Sequence, residues 1–143
     1  MVLHVPSDGF EKWVASLLPG LGRFTCLIVA ELEGRLAGFI AGRLRPVPPW
    51  YGGGTAGWAT DMLVNDSLRG RGIGTSLLDA MVVWFRAQGI ERVEAQVITG
   101  NQSALGQYLK MGWTAETVQI VWLGGDPPER GSPSETAPGD SPA

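Results

Sequence analysis

The sequence predicts an α/β fold, and three stretches of the chain support that fold class. Residues 57–89 are an apolar strand, a glycine-rich turn and an amphipathic helix in direct succession. Residues 25–45 contain two apolar segments joined by Glu-Gly, which is typical of a hairpin turn. Residues 91–112 repeat the order of strand and then helix. Strands and helices are therefore mixed along one chain.

Composition and charge fit a globular protein. The chain has 143 residues, of which 44% are hydrophobic and 17% charged, enough for one domain with a hydrophobic core. The net charge of −3 gives no support for nucleic-acid binding. No apolar run reaches the roughly 18 residues of a membrane span, and no signal peptide is visible, so we expect no membrane association. The single cysteine, Cys26, is expected to be core filler and suits a cytoplasmic location.

The predicted domain covers residues 1–124. Residues 125–143 are rich in Pro, Gly and Ser and nearly devoid of apolar side chains, so we expect a disordered tail. At the other end, residues 10–18 have helical spacing, and a first strand would fit only within residues 2–5.

Four strands are predicted in the second half of the domain. The central strand covers residues 58–64, and strict alternation would place Asp61 and Leu63 on one face and Trp58 on the other. A second strand is expected over residues 91–99. Residues 113–123 would form a closing antiparallel pair, broken near position 117.

The glycine-rich turn predicts an anion site. The first N–H groups of a helix have no partner within it, and the helix dipole places partial positive charge there. Gly70, Gly72 and Gly74 would let the backbone approach a phosphate closely. Arg69 and Arg71 would add positive charge and forked donors.

Two familiar phosphate loops do not fit this turn. A P-loop needs Lys followed by Ser or Thr after its last glycine, whereas Gly74 is followed by Thr75 and Ser76. A dinucleotide-binding loop needs a third glycine three places after the second, and Thr75 or Leu77 stands there instead.

A third glycine loop fits, and a second segment downstream matches with it. The two motifs are Arg69-x-x-Gly72-x-Gly74 and Asn101-x-x-Ala104-x-x-x-Tyr108-x-x-x-Gly112-Trp113. Together, in this order and with one strand between them, they resemble the acetyl-CoA loop and the following helix of the GNAT (GCN5-related N-acetyltransferase) superfamily.

The resemblance implies a mixed, mostly antiparallel central sheet flanked by helices, with a shortened N-terminal region. It also implies acetyl-CoA as cofactor and no metal. The expected cofactor-binding residues form three groups: a strand edge, the glycine loop and two residues of the second motif. They are Met62, Leu63, Val64, Arg69, Gly70, Arg71, Gly72, Ile73, Gly74, Thr75, Asn101 and Tyr108.

The implied reaction is direct transfer of an acetyl group to a primary amine. Tyr108 stands where the family's general acid stands and would protonate the leaving thiolate. Asp61 is the only carboxylate inside the central strand. Burial would raise its proton affinity and suit a base acting directly or through water. A structural hydrogen bond for Asp61, or a water chain as the base, is the alternative.

Trp50 and Tyr51, beside three glycines, are candidate substrate-binding residues at the acceptor mouth. The alternative is that both rings cover the edge of the core. The acceptor would be a small-molecule or peptide amine, and a homodimer is compatible with the resemblance. The rival function is a non-catalytic acyl-CoA-binding module that acts through a partner.

Overall fold

In the computed structural model, residues 7–126 are described, with side chains from residue 12 onward. Four strands and three α-helices lie in this range. In chain order they are α1 (Ser7–Leu17), β1 (Thr25–Leu32), β2 (Arg35–Pro46), β3 (Thr55–Val64), α2 (Ile73–Ala87), β4 (Val93–Ala95) and α3 (Gln102–Lys110). The predicted strand within residues 2–5 and nearly all of the predicted tail lie outside the described residues.

The chain divides into two compact units between Gln102 and Ser103. The first unit holds the whole sheet with α1 and α2, and the second holds α3 after its first residue together with the segment that follows. The predicted domain limits at residue 124 stay a prediction.

The sheet has the order β1-β2-β3-β4. β1 pairs with β2 and β2 with β3 in antiparallel fashion, whereas β3 and β4 are parallel. This confirms the mixed, mostly antiparallel sheet. The β1–β2 turn is formed by Glu33 and Gly34, which both have positive φ angles, 52° and 73°. Two such residues match the twist of a two-residue hairpin.

Helix α2 covers one face of the sheet and forms the core with it. Its buried side chains include Leu77, Met81 and Phe85, and Phe85 is completely inaccessible to solvent. The helix lies so close because glycines face it from the strands. A Cβ added to Gly57 would lie 2.5 Å from the Phe85 ring, and one added to Gly42 would lie 2.7 Å from Met81 Cε. A glycine inside a strand often marks such a close approach.

The predicted alternation of β3 is wrong at one residue. Gly42 pairs with Ala59 and Ala41 pairs with Asp61, so Thr60 is an extra residue in a β-bulge. The Thr60 hydroxyl donates a hydrogen bond to the carbonyl of Ala41 at 3.2 Å. A bulge changes the phase of the alternation, so side chains before and after it no longer follow one count.

As a result, Trp58 and Asp61 share a face of the sheet, contrary to the prediction. Arg43 pairs with Trp58, and Ala41 pairs with Asp61, and two positions on β2 that are two residues apart point the same way. Gly42, between them, faces α2. Trp58 and Asp61 therefore lie on the face opposite α2.

Two strand predictions need correction. The strand predicted over residues 91–99 is reduced to β4, because the parallel pairing ends at Ala59–Ala95, where the bulge of β3 begins. Residues 113–123 form no strand. Most of their apolar side chains are exposed, including Ile120 at 91%, while Trp113 is half-buried. Apolar alternation predicted strands there, but alternation alone supplies no hydrogen-bonding partner.

The remaining elements agree with the sequence. Helix α1 begins at Ser7, three residues earlier than expected, and Trp13 contacts Phe39 of β2 with ring centroids 5.6 Å apart. Cys26 is buried in β1 with 3% of its surface exposed, as expected of core filler. Burial raises the pKa of this thiol to about 11, so it remains a neutral thiol at physiological pH.

Candidate active site

The glycine loop forms the N-terminus of α2, as the sequence predicts. Gly72 is the N-cap residue, with φ 78° and ψ 10°, and its carbonyl accepts the hydrogen bond from Ser76 N at 3.0 Å. No side chain caps the helix there. The backbone N–H groups of Ile73 and Gly74 consequently have no hydrogen-bond partner within residues 7–126. Two donors at the positive end of a helix dipole therefore face outward.

The space in front of these amides is open. A Cβ added to Gly70 or Gly72 would meet no heavy atom within 4 Å. At Gly74 the nearest atoms belong to Met62 and Val64, at an ordinary contact distance of 3.8 Å. An anion with several oxygens fits such a cradle, because N–H donors are present and side chains are absent.

The two arginines of the loop differ in their surroundings. Arg69 forms an ion pair with Asp66, with 2.8 Å between Nη2 and Oδ1. Arg71 is exposed, and no carboxylate lies within ion-pair distance of it in the described chain. The positive charge available to a ligand therefore comes mainly from Arg71. The ion pair of Arg69 with Asp66 was not predicted.

An unpaired strand edge leads away from the loop. β4 pairs with β3 only from Gly57 to Ala59, so the same edge of β3 carries no strand partner over residues 60–64 in the described structure. Met62 and Leu63 on this stretch are exposed. An extended ligand carrying amide groups can add to such an edge as a further strand would.

Asp61 is exposed, which corrects the expectation of a buried carboxylate. The expectation failed because the face opposite α2 is not covered over this part of β3. Asp61 still lies on β3 two residues beyond the last β3–β4 pair, at the point where the two strands separate.

Tyr108 lies in the second unit, on α3. Its ring contacts Trp113 edge to face, with centroids 5.1 Å apart, and its carbonyl accepts a hydrogen bond from Trp113 N at 3.0 Å. Partial burial of the side chain raises the pKa of the Tyr108 phenol above its ordinary value. The phenol therefore carries its proton at neutral and mildly alkaline pH. Asn101 is exposed and stands directly before α3.

The Trp50 and Tyr51 side chains are exposed, Trp50 by 81%. They lie in a short 3₁₀ turn between β2 and β3, and Gly52 follows with a φ of 103°. The exposure of Trp50 speaks against the alternative that both rings cover the edge of the core, whereas Tyr51 is half-exposed. Their contact with a substrate stays a prediction.

A cluster that the sequence analysis missed surrounds Trp58 on the face opposite α2. The guanidinium carbons of Arg43 and Arg45 both lie 4.9 Å from the centre of the Trp58 ring system. Glu94 forms ion pairs with Arg45 and with Arg92, the latter at 2.7 Å. The signal was hidden because these residues come from separate segments of the chain, and the register of the strands decides which of them lie side by side.

Several solved structures with a similar fold are named as acetyltransferases. An aminoglycoside N-acetyltransferase, AAC(6')-Iy, in complex with CoA has a TM-score of 0.71 and 17% identity; the match covers 84% of this chain and 78% of that one. Glucosamine-6-phosphate N-acetyltransferase from Arabidopsis thaliana has a TM-score of 0.66 and 18% identity, over 85% and 81% of the two chains. At this identity the likeness establishes the fold, which is that of the N-acetyltransferases.

The family follows from the sequence match. The model of the acetyltransferase (GNAT) family matches residues 5–113, and the chain belongs to this family. The resemblance drawn from the two motifs is thus confirmed.

Curated relatives have similar sequences over part of their length. The dTDP-fucosamine acetyltransferase of Escherichia coli is 26% identical over 114 residues, which are 80% of this chain and 45% of that protein. The L-2,4-diaminobutyric acid acetyltransferase of Nocardia farcinica is 28% identical over 81 residues, 57% of this chain and 39% of that protein. An L-methionine sulfoximine/L-methionine sulfone acetyltransferase of Pseudomonas paraeruginosa is 29% identical over 91 residues, 63% and 51% of the two proteins. The chain spans about half or less of the length of these relatives.

Neither a membrane-spanning helix nor a metal-binding cluster is found among residues 7–126. No helix among them has the length and apolar character needed to cross a membrane. No group of three or more His, Cys, Asp or Glu side chains in the same range is arranged to hold a metal ion.

Proposed function

We propose that this chain is an N-acetyltransferase that transfers an acetyl group directly from acetyl-CoA to a primary amine. The observation that carries the proposal is the open cradle at Gly72, with the outward N–H groups of Ile73 and Gly74. Family membership and structural neighbours solved with CoA support the choice of ligand. We further propose a cytoplasmic location; a homodimer stays a prediction.

The residues of the chain would hold acetyl-CoA in three places. The amides of residues 70–75, with Arg71 and Arg69, would bind the pyrophosphate, since backbone donors and guanidinium groups suit its oxygens. The free edge of β3 at residues 62–64 would pair with the amides of the pantetheine arm. Asn101 would form a hydrogen bond with that arm, as donor or as acceptor. Bound there, the group supplies an acetyl thioester, which is activated toward amines.

Catalysis needs two proton movements, and two side chains are candidates for them. An alkyl ammonium has a pKa near 10.4 and must lose a proton before its nitrogen can attack. Asp61, exposed at the separation of β3 and β4, would take that proton directly or through a water molecule. The N–C bond forms as the C–S bond breaks, and Tyr108 would donate its proton to the departing sulfur. A raised phenol pKa keeps that proton available.

The acceptor is proposed to be a small-molecule amine. The curated relatives are named for diaminobutyric acid, dTDP-fucosamine and methionine sulfoximine or sulfone, all of them small molecules. Trp50 and Tyr51 would contact the acceptor from the β2–β3 turn, where their exposed rings are available.

Calorimetric titration with acetyl-CoA, and with NAD and ATP as controls, tests the cofactor. We expect saturable binding of acetyl-CoA alone. Binding of ATP or NAD with equal affinity would contradict the loop assignment. A second assay follows the release of free thiol with a panel of amines. Binding without thiol release from any amine would favour the non-catalytic acyl-CoA-binding module.

A further inference from the structure

The cluster around Trp58 has more positive than negative charge. It contains three guanidinium groups, those of Arg43, Arg45 and Arg92, and one carboxylate, that of Glu94. Arg45 and Arg92 both form ion pairs with Glu94. Arg43 has no carboxylate partner among the described residues, and its guanidinium is held only against the Trp58 ring. The cluster therefore offers one exposed, oriented guanidinium to an anion from solution.

The geometry of the cluster favours an anion with two oxygens. A guanidinium stacked on an indole keeps its plane parallel or tilted to the ring while its N–H edge points outward. Such an edge forms paired hydrogen bonds with a carboxylate or a phosphate. The guanidinium carbon of Arg45 lies at the same 4.9 Å from the centre of the Trp58 ring, so two guanidinium groups lie against one indole. Glu94 holds Arg45 in place and prevents it from turning away.

The cluster lies beside the place where the acetyl group would be transferred. Trp58 pairs with Glu94. The next pair, Ala59 with Ala95, is the last between β3 and β4, and the two strands separate after that pair. Asp61 is on the same face, opposite Ala41, while Trp58 is opposite Arg43. Two residues along a strand span about 6.5 Å. The basic residue Arg43 and the acidic residue Asp61 thus lie on the same face of the sheet, separated by about two residues along the strands.

We propose that Arg43, with Arg45 and Trp58, binds an anionic group of the acceptor and that the acceptor is therefore an amine bearing a carboxylate or phosphate a few bonds from its nitrogen. This rests on the proposed acetyltransferase function. The anionic group lies against the Arg43 edge, and the ammonium group is directed toward Asp61, which removes its proton. A free amino acid has this pairing of charges, and an amine without an anionic group lacks one of the two contacts.

Paired acceptors test the proposal. The first pair is a free α-amino acid and its primary amide, and the second is ethanolamine phosphate and ethanolamine. We expect free-thiol release to be at least 10-fold faster, as kcat/KM, for the anionic member of at least one pair. The pair that shows the difference identifies a carboxylate or a phosphate as the bound group.

Variants assign the effect to the cluster. R43Q should raise KM for the anionic acceptor about 10-fold or more and leave kcat/KM for the uncharged member unchanged. R35Q is the matched control, since Arg35 is also an exposed arginine of β2 but makes no contact with Trp58. It should change neither acceptor.

Two results would overturn the proposal, and they are distinguishable. Equal rates for both members of each pair, unchanged in R43Q, would refute the anion site while the acetyltransferase function stands. An absence of thiol release from every amine, charged or not, would refute the function itself and the inference with it.

Discussion

Replacement of Gly72 by alanine separates the conformational role of this glycine from its role in ligand binding. Gly72 has a φ of 78° and a ψ of 10°, the left-handed region that side chains with a Cβ rarely adopt. Placing an L-residue there costs about 1–2 kcal/mol. The new methyl group would meet no heavy atom within 4 Å, so no steric term adds to that cost. For a chain of this size the melting temperature should fall by about 3–8 °C.

The loss of CoA affinity should exceed what this strain explains. The methyl group would be carried by the N-cap residue, directly before the N–H groups of Ile73 and Gly74 where the phosphate is proposed to bind. A hydrogen bond from an amide to a charged oxygen contributes about 1.5–3 kcal/mol. Loss of one such bond weakens binding roughly 10- to 100-fold. Calorimetry with CoA measures the affinity, and a thermal melt of the same sample measures the stability.

Gly89 supplies the control at the other end of α2. It has the same φ of 78°, and a Cβ there would also meet nothing within 4 Å. Gly89→Ala should therefore lose as much stability as Gly72→Ala while binding CoA as the unaltered protein does. Equal CoA affinity of the two variants would refute the assignment of the phosphate cradle. A much larger loss of stability at Gly72 than at Gly89 would refute the argument from backbone angle.

Further predictions concern the core, one buried thiol and one proton donor. Gly57→Ala should lower the free energy of unfolding by about 1–3 kcal/mol, because its Cβ would lie 2.5 Å from the Phe85 ring. Denaturant unfolding measures this change. The control is Gly106→Ala, which should lose no stability, because a Cβ there would meet no atom within 4 Å. The Cys26 pKa is raised by burial from 9.0 to about 11, so the stability that the neutral thiol contributes is present below pH 9 and is lost as the pH rises toward 11. Unfolding at pH 8 and pH 10.5 should show a pH-dependent loss about 2 kcal/mol smaller in Cys26→Ala than in the unaltered protein, and equal losses would contradict the burial argument. Tyr108→Phe should reduce kcat about 100-fold or more and leave the CoA affinity within about twofold; unchanged kcat would remove Tyr108 as the proton donor.

The local features of the chain could be read from the sequence because each depends on neighbouring residues. The Glu33-Gly34 turn needs positive φ angles, and the burial of Met81 and Phe85 follows from helical spacing. The glycine loop at the start of α2 follows from residue types that suit no other local structure so well.

The features that the sequence did not reveal depend on pairing between distant segments. The extra residue Thr60 is set by how β2 and β3 align, and no local pattern marks it. The bulge at Thr60 lies where the pairing of β3 with β4 ends, and it places Trp58 on the same face as Asp61. The cluster of Trp58 with Arg43 could therefore be found only from the three-dimensional structure, although each member was visible in the sequence.

One inserted residue lets a single strand serve two purposes at once. Because the pairing skips Thr60, Ala59 and Met62 face α2 while Trp58 and Asp61 face the other way. If Thr60 were paired instead and Asp61 stayed opposite Ala41, Trp58 would move from Arg43 to Leu44, the present partner of Gly57. The indole would then turn toward α2, on the side where a single methyl group at Gly57 would already lie 2.5 Å from the Phe85 ring. Deletion of Thr60 would leave each remaining side chain on its present face, so Thr60 is the residue by which β3 can be longer than its partner without moving a side chain across the sheet.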